Sequence, residues 1–290
     1  EVLVANINMD NFSLNQINKM TDIHEKLLFI EKPTDIFSNN DFAINFDFKL
    51  ITEGRTSQEL SSTNGFIGEK ENLFIEEGAT IEFSTLNCKT GKIYVGKNAE
   101  IMEGSNIRGS LALCEESKIN LGTKLYGGTT IGPHSKVGGE VNNIVIFGYS
   151  NKGHDGFVGN SVIGEWCNLG ADTNSSNLKN NYASVKLWNY RKKRFLDTGL
   201  QFCGLIMGDH SKTAINTQLN TGTVVGVAAN IFKSGFPPNL VDSFSWGGMK
   251  GDEKFKLEKS YEVAEKAMER RKIAISEVDK DILKYIYNEF

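Results

Sequence analysis

The fold is decided by one stretch, VGKNAEIMEGSNIRGSLALCEESKINLGTKLYGGTTIGPHSKVG, which runs from Val95 to Gly138. Every sixth residue in it is aliphatic: Val95, Ile101, Ile107, Leu113, Ile119, Leu125, Ile131 and Val137. If about one residue in five is of that kind, eight in a row arise by chance roughly a few times in a million. A period of six matches neither the 3.6 of a helix nor the two of an ordinary strand. It predicts a β-helix of short flat faces, with three faces per turn and residues about 18 apart stacked at the inter-strand spacing of about 4.8 Å. Small residues follow several inward positions, as in Val95-Gly96, Ile131-Gly132 and Val137-Gly138, where the chain must turn a corner.

Outward from this stretch the phase resumes, shifted, at Phe157, Ile163 and Leu169, and again at Leu219, Val225 and Ile231, while Ile75 and Ile81 stand before it as outliers. The aliphatic row reads as the core of a narrow prism, so function is sought in the interruptions. The larger ones run from Asn142 to Gly156 and from Asp172 to Gly204. The second contains VKLWNYRKKRF, Val185 to Phe195, which predicts a hairpin arm with Arg191, Lys192, Lys193 and Arg194 at its tip. A solvated charged tip is the plain reading; a phosphate-binding arm is the sharper one, because clustered Lys and Arg pair well with phosphate oxygens.

Composition agrees. The 290 residues include 29 Gly, 29 Asn and only 4 Pro, so residues tolerant of left-handed backbone abound and many corners are expected. With 39% hydrophobic and 23% charged residues the chain can bury a core. A formal charge of −4 argues against nonspecific nucleic-acid binding as the main activity. No apolar run approaches the ~18 residues of a membrane span, so a soluble protein is expected. The cysteines Cys88, Cys114, Cys167 and Cys203 are scattered, which fits a reducing cytoplasm.

The flanks differ from the repeat. From about Asp252 the chain turns to Glu, Lys, Ala and Met, and Leu257, Tyr261, Ala264 and Met268 recur at helical spacing; Ile282, Tyr285 and Ile286 suggest a second amphipathic stretch. Residues 1–66 read as a short α/β segment, with Val2, Leu3 and Val4 strand-like and Leu14 to Met20 weakly helical. The first residue is Glu1 rather than Met, and a segment upstream is expected.

Four histidines are candidates for chemistry. His24 reads as exposed, and His134 and His210 as corner residues. His154 stands apart in Lys152-Gly153-His154-Asp155-Gly156, flanked by glycines inside a break between repeat phases, the kind of irregular segment on a rigid scaffold that carries function. The histidines form no closely spaced pair, so no metal site is expected. No GxGxxG or GxxxxGK[ST] loop occurs to cradle a nucleotide.

Three further segments carry a resemblance: KGHDGFVGNSVIGEWCNLGADTNSSNLKNNY (Lys152 to Tyr182), FCGLIMGDHSKTAINTQLNTGTVVG (Phe202 to Gly226) and FSWGG (Phe244 to Gly248). In these, residues 75–245 resemble the left-handed β-helix acetyltransferase half of the bifunctional N-acetylglucosamine-1-phosphate uridyltransferase / glucosamine-1-phosphate N-acetyltransferase family, in its bacterial sugar nucleotidyltransferase-like branch. KPTDIF (Lys32 to Phe37) and SSTNGFIG (Ser61 to Gly68) look like the tail of that branch's N-terminal region.

The resemblance implies a fold and a site. The fold is a mainly β, left-handed parallel β-helix of hexapeptide repeats over 67–248, with an inserted hairpin arm at about 178–200, a remnant N-terminal segment over 1–66 and C-terminal helices over 249–290. It implies a homotrimer that transfers acetyl from acetyl-CoA to an amino-sugar phosphate, glucosamine-1-phosphate in the family, with no nucleic acid among its partners. His154 falls on the family's catalytic base, Glu140 on an acidic residue of the site, and Asn168 and Asn177 on asparagines that contact the amino sugar. Ala171 falls on the residue whose N–H faces the acetyl carbonyl, and Ile215, Asn216 and Ala229 are expected along acetyl-CoA.

The chemistry is coherent: an amine must lose a proton before it attacks a thioester, which suits an imidazole, and the oxyanion needs a fixed N–H. Departures are equally plain. A substrate-contacting Tyr of the family is Phe157 here, a phosphate-binding Lys is Asn142, and a second falls near Gly204. Either Lys186 with Lys192, Lys193 and Arg194 replaces those lysines, or the acceptor is not glucosamine-1-phosphate. Two rivals stand beside this reading: a UTP-dependent nucleotidyltransferase whose catalytic half lies upstream, in which case Mg²⁺ would be required, and a β-helix that only assembles the trimer.

Overall fold

The computed structural model describes residues 28–289. The strand-like Val2 to Val4, the helical Leu14 to Met20 and His24 lie outside the described residues. Between Gly65 and Gly247 the chain winds as a parallel, left-handed β-helix, its short strands paired in register with those of the next turn. Three faces result, here called A, B and C in the order in which the chain traverses them. Inside face A stack Leu86, Ile107, Leu125, Val141, Val158, Ser175 and Leu219. Inside face B stack Ile75, Val95, Leu113, Ile131, Ile146, Ile163, Met207, Val225 and Val241. Face C carries Ile81, Ile101, Ile119, Val137, Lys152, Leu169, Thr213, Ile231 and Gly247. The aliphatic members form one continuous buried core.

Three sequence readings are corrected. Ile75 and Ile81 are regular members of the prism rather than outliers. Phe157 faces outward and its neighbour Val158 takes the inward position, fully buried. The cause is a change of step: Val137 to Val141 spans four residues and Val141 to Ile146 five, with Asn143 and, one turn on, Asn160 turning the A/B corner at φ of 53° and 47°. Strands Glu140–Ile146 and Phe157–Ile163 run unbroken across that corner, which carries the repeat out of its six-residue phase. The third correction concerns the inward row itself, which is not aliphatic throughout, since Lys152, Ser175 and Thr213 occupy it.

The flanking segments cover parts of the prism. The described part of the N-terminal segment is helical, with helices α1 (Pro33–Ser38) and α2 (Asn40–Thr52) on the A/B corner. Asn40 Nδ2 donates to Gly128 O at 2.8 Å, and a Cβ at Gly128 would meet Asp41 Cα and N at 2.6 Å, so the approach of α2 requires glycine there. The arm is the antiparallel pair Lys186–Asn189 and Arg194–Asp197. Its Val185 and Leu187 pack with Phe37 against Val162 and Val224 on the outside of face B. Helices α3 (Leu257–Glu269) and α4 (Glu277–Glu289) bury Ala264, Met268 and Leu283 against Ala228, Phe244 and Trp166 at the B/C corner. At that corner His134, Tyr149, Trp166 and His210 occupy equivalent left-handed positions, φ 58° to 61°, and stack ring on ring at 4.9, 4.2 and 6.3 Å. His134 and His210 are thus structural, and burial pushes the His210 imidazole down to about 4, so it stays neutral at physiological pH.

Candidate active site

Most of the predicted site residues lie along the C/A corner or on the two faces that meet there. Face C ends on Asn151 and Lys152; the turn 153–156 follows; face A resumes at Phe157. Lys152 points into the prism opposite Val137 and is 2% exposed. A charge in an apolar column is costly unless it is well bonded. Its ammonium donates to Gly138 O at 2.9 Å, to Asp155 O at 3.3 Å and to His154 O, so it fastens the turn to the turn below. Burial pushes Lys152 down to about 8, against the pull of Asp155 and Asp172. Asn120 Nδ2 holds Gly153 O at 2.6 Å from the other side. On this anchored turn the His154 side chain stands exposed.

Ala171 occupies the equivalent position one turn on, since Asn151 pairs with Asn168. Asp172 N–H donates to Asp155 O at 3.0 Å and Asn216 N–H to Ala171 O at 2.8 Å, so 154, 171 and 215 form a column along the corner. The Ala171 N–H meets no acceptor among the described residues; the same is true of Leu121 and Ile215, so a free N–H belongs to this corner position, and at Ala171 it stands one turn above His154. Ile215 and Asn216 are exposed, Ile215 at 69%. Ala229 is not on this surface: its methyl lies in the core, its N–H is held by Ser211 Oγ at 3.0 Å and its carbonyl by Lys212 N–H, which removes it from any groove ligand.

On the face A side, Glu140 pairs with Phe157 and Asn142 with Gly159. Tyr126 donates its hydroxyl to Glu140 Oε1 at 2.7 Å, Lys124 Nζ stands 3.8 Å from Glu140 Oε2, and the Glu140 bond pushes the Tyr126 hydroxyl up to about 12. Phe157 and Asn177 converge above Gly159, where a Cβ would lie 2.7 Å from both Asn177 Nδ2 and Phe157 Cζ. Asn177 Nδ2 is oriented by Asn160 Oδ1 at 2.7 Å. On the face C side Asn168 stands exposed in the outer row.

The corner itself carries His154 and Ala171, with Ile215 and Asn216 beyond; Asn168 lies on face C before it, Glu140 and Phe157 open face A after it, and Asn142 and Asn177 lie at the far, A/B end of face A. Lys192 and Lys193 are not part of this group. The arm lies on face B, which in a three-sided prism is opposite the C/A corner, and Lys193 lines a hollow with Asp242 and Glu289. Sequence reasoning missed Lys152 as the anchor of the turn; the available signal was a lysine six residues after Ile146 and six before Val158, in the inward phase. Tyr126 and Lys124, a full turn earlier in the chain, carried no such signal.

An imidazole beside a free N–H and a rim of amides can accept a proton, stabilise an oxyanion and orient hydroxyls. Among the described residues no cluster of His, Cys, Asp or Glu suits a metal ion. No helix among them is long and apolar enough to cross a membrane.

These features define a hexapeptide-repeat β-helix with a histidine corner. In sequence the chain is similar to a curated bifunctional sugar-1-phosphate nucleotidylyltransferase/acetyltransferase of Sulfurisphaera tokodaii, 32% identical over 144 residues, which are 49% of this chain and 35% of that protein. It is likewise similar to the bifunctional protein GlmU of Methanocaldococcus jannaschii, 36% identical over 104 residues, 36% of this chain and 24% of that one. The chain thus matches about a third or less of the length of these relatives. No family model matches it. Among solved structures, a hexapeptide transferase family protein from Anaplasma phagocytophilum aligns at TM-score 0.30 and 15% identity, over 79% of this chain and 86% of that one. The polySia specific acetyltransferase NeuO aligns at TM-score 0.37 and 13% identity, over 72% of this chain and 95% of that one.

Proposed function

We propose that the chain transfers acetyl from acetyl-CoA to the amino group of an amino-sugar phosphate, with glucosamine-1-phosphate as the first candidate acceptor. The observation that carries this reading is the column at the C/A corner, where exposed His154 lies directly below the unpartnered Ala171 N–H. His154 takes the proton from the acceptor ammonium; the freed amine attacks the thioester carbonyl; the oxyanion is received by the Ala171 N–H. The nitrogen of the adduct sheds its second proton to solvent, collapse breaks the C–S bond, and CoA leaves as the thiol with the proton returned from His154. Asn168 and Asn177 orient the sugar from either side of the corner, and Glu140, tied to Tyr126, sets the charge of the face A rim.

Ile215 and Leu121, 69% and 67% exposed, give the same corner a discontinuous apolar surface, Ile215 above His154 and Leu121 below it. A neighbouring β-helix in a trimer would cover it and form the groove for acetyl-CoA, and Lys192 and Lys193 on face B would then serve only a neighbour's site. The nucleotidylyltransferase activity named in the Sulfurisphaera tokodaii relative's description favours a second activity, UTP- and Mg²⁺-dependent, in a longer protein of which this chain is the acetylating part. An acceptor screen tests the reading: CoA release with acetyl-CoA and glucosamine-1-phosphate, glucosamine, or other amino-sugar phosphates. Turnover confined to phosphorylated amino sugars is expected; no turnover with any amino sugar would favour a β-helix that serves only assembly.

A further inference from the structure

The outer surface of face C carries a cavity of about 390 Å³ under the C-terminal end of α3, in the lower part of the range usual for small-ligand sites. Its floor is a row in direct register, Lys136, Asn151, Asn168 and Lys212, and Arg270 and Arg271 close it from above. Four cations line it and no carboxylate does. The contrast with the neighbouring rung is informative: Lys118, in register with Lys136, is neutralised by Glu100 at 2.5 Å. None of the four cavity cations makes an ion pair among the described residues.

Their remaining bonds are few. Lys212 Nζ donates to His210 O at 2.8 Å, and Arg271 Nη2 donates to His134 O at 3.0 Å. Burial holds the Lys212 ammonium below the ordinary lysine range. Like charges gathered round one hollow repel one another, so an anion in their midst is stabilised by all of them. A helix C-terminus accounts for cations at Arg270 and Arg271 but not for two lysines on the sheet beneath. Asn151 and Asn168 add uncharged amides to its floor. The wall is the stacked pair Tyr149 and Trp166, held by the corner ladder.

We propose that this cavity binds the phosphate ester of a small molecule, the phosphate among Lys136, Lys212, Arg270 and Arg271. Asn168 belongs both to this cavity and to the His154 corner, so the phosphate is one carried by a substrate of the transfer; this last step rests on the acetyl-transfer reading. Two substrates share the chemistry, the sugar phosphate and the ribose phosphate of CoA.

The binding test uses inorganic pyrophosphate as probe on the full chain. Saturable, salt-sensitive binding is expected, weakened about tenfold or more in Lys136→Gln/Arg270→Gln, two side chains that make no hydrogen bond to the fold and whose replacement leaves the melting temperature unchanged. Equal binding by the two proteins, or no saturable binding to the native one, overturns the site. Kinetics then assign the phosphate. A raised KM for glucosamine-1-phosphate, with that for unphosphorylated glucosamine unchanged, places the acceptor phosphate there. A raised KM for acetyl-CoA, with that for its 3′-dephospho form unchanged, places the donor phosphate there. If both KM values hold while pyrophosphate binding is lost, the assignment to a transfer substrate is overturned. If the native protein binds pyrophosphate yet transfers no acetyl group, the acetyl-transfer reading fails and the anion site stands.

Discussion

Replacing Lys152 with methionine separates the two effects of a charge placed inside the prism. Burial displaces the ammonium from 10.5 to about 8, which at 1.36 kcal/mol per pH unit is a penalty of about 3 kcal/mol for carrying the proton in the folded state at neutral pH. Against it stand bonds to Gly138 O, His154 O and Asp155 O, of which the first two have no other donor. Leaving two carbonyls unpaired costs about 1–3 kcal/mol each. The opposing terms are of similar size, so Lys152→Met should change stability by no more than about 2 kcal/mol.

The pH dependence is sharper. Between about 8 and 10.5 the unfolded chain holds the Lys152 proton and the folded chain has released it, so native stability rises with pH across that window by about 3 kcal/mol, and in Lys152→Met this rise is absent. Function should suffer more than stability, because the methionine cannot hold the His154 turn: a displacement of about 1 Å costs on the order of a hundredfold in acetyl transfer. Urea unfolding at pH 7.5 and 10, with acetyl-transfer rates on the same proteins, measures all of this. A Lys152→Met protein with the native slope of stability against pH would show that the Lys152 ammonium does not titrate in this window, and one with native kcat that it does not hold the His154 turn.

Gly159→Ala forces a methyl to within 2.7 Å of Asn177 Nδ2 and the Phe157 ring; it should cost about 1–3 kcal/mol of stability and raise the acceptor KM, read by thermal melts and steady-state kinetics. Trp166→Ala removes the middle of the ring ladder and a seat for α3 and α4, with an expected loss of about 2–4 kcal/mol in denaturant unfolding and faster hydrogen exchange in both helices than elsewhere.

The prism was legible where each inward position is aliphatic and each step is six residues, from Val95 to Val137. It was obscured where the step shortens to four and five residues, because Val141 and Val158 fall off the count and Phe157 falls on it. It was obscured again where Lys152, Ser175 and Thr213 take inward places, since a polarity pattern assigns such residues to the surface. The turn that carries His154 was legible from its flanking glycines, although it lies within a regular six-residue step from Lys152 to Val158 and not in a break of phase. The arm was readable as a hairpin from Val185 to Phe195, yet its seat on face B depends on Val162 and Val224, which local sequence cannot connect to it. The cations around Asn168 were invisible for the same reason: winding brings Lys136 and Lys212 to one row, and the packing of α3 adds Arg270 and Arg271.

The central claim is that His154 is the base of an acetyl transfer at the C/A corner, and its most direct measurement is CoA release from acetyl-CoA and an amino-sugar phosphate by the native protein and by His154→Ala. Because the side chain is exposed and makes no hydrogen bond to the fold, the variant should fold as the native protein does. A fall in kcat of about 10²–10⁴-fold is predicted, with KM little changed; equal rates in the two proteins would contradict the account.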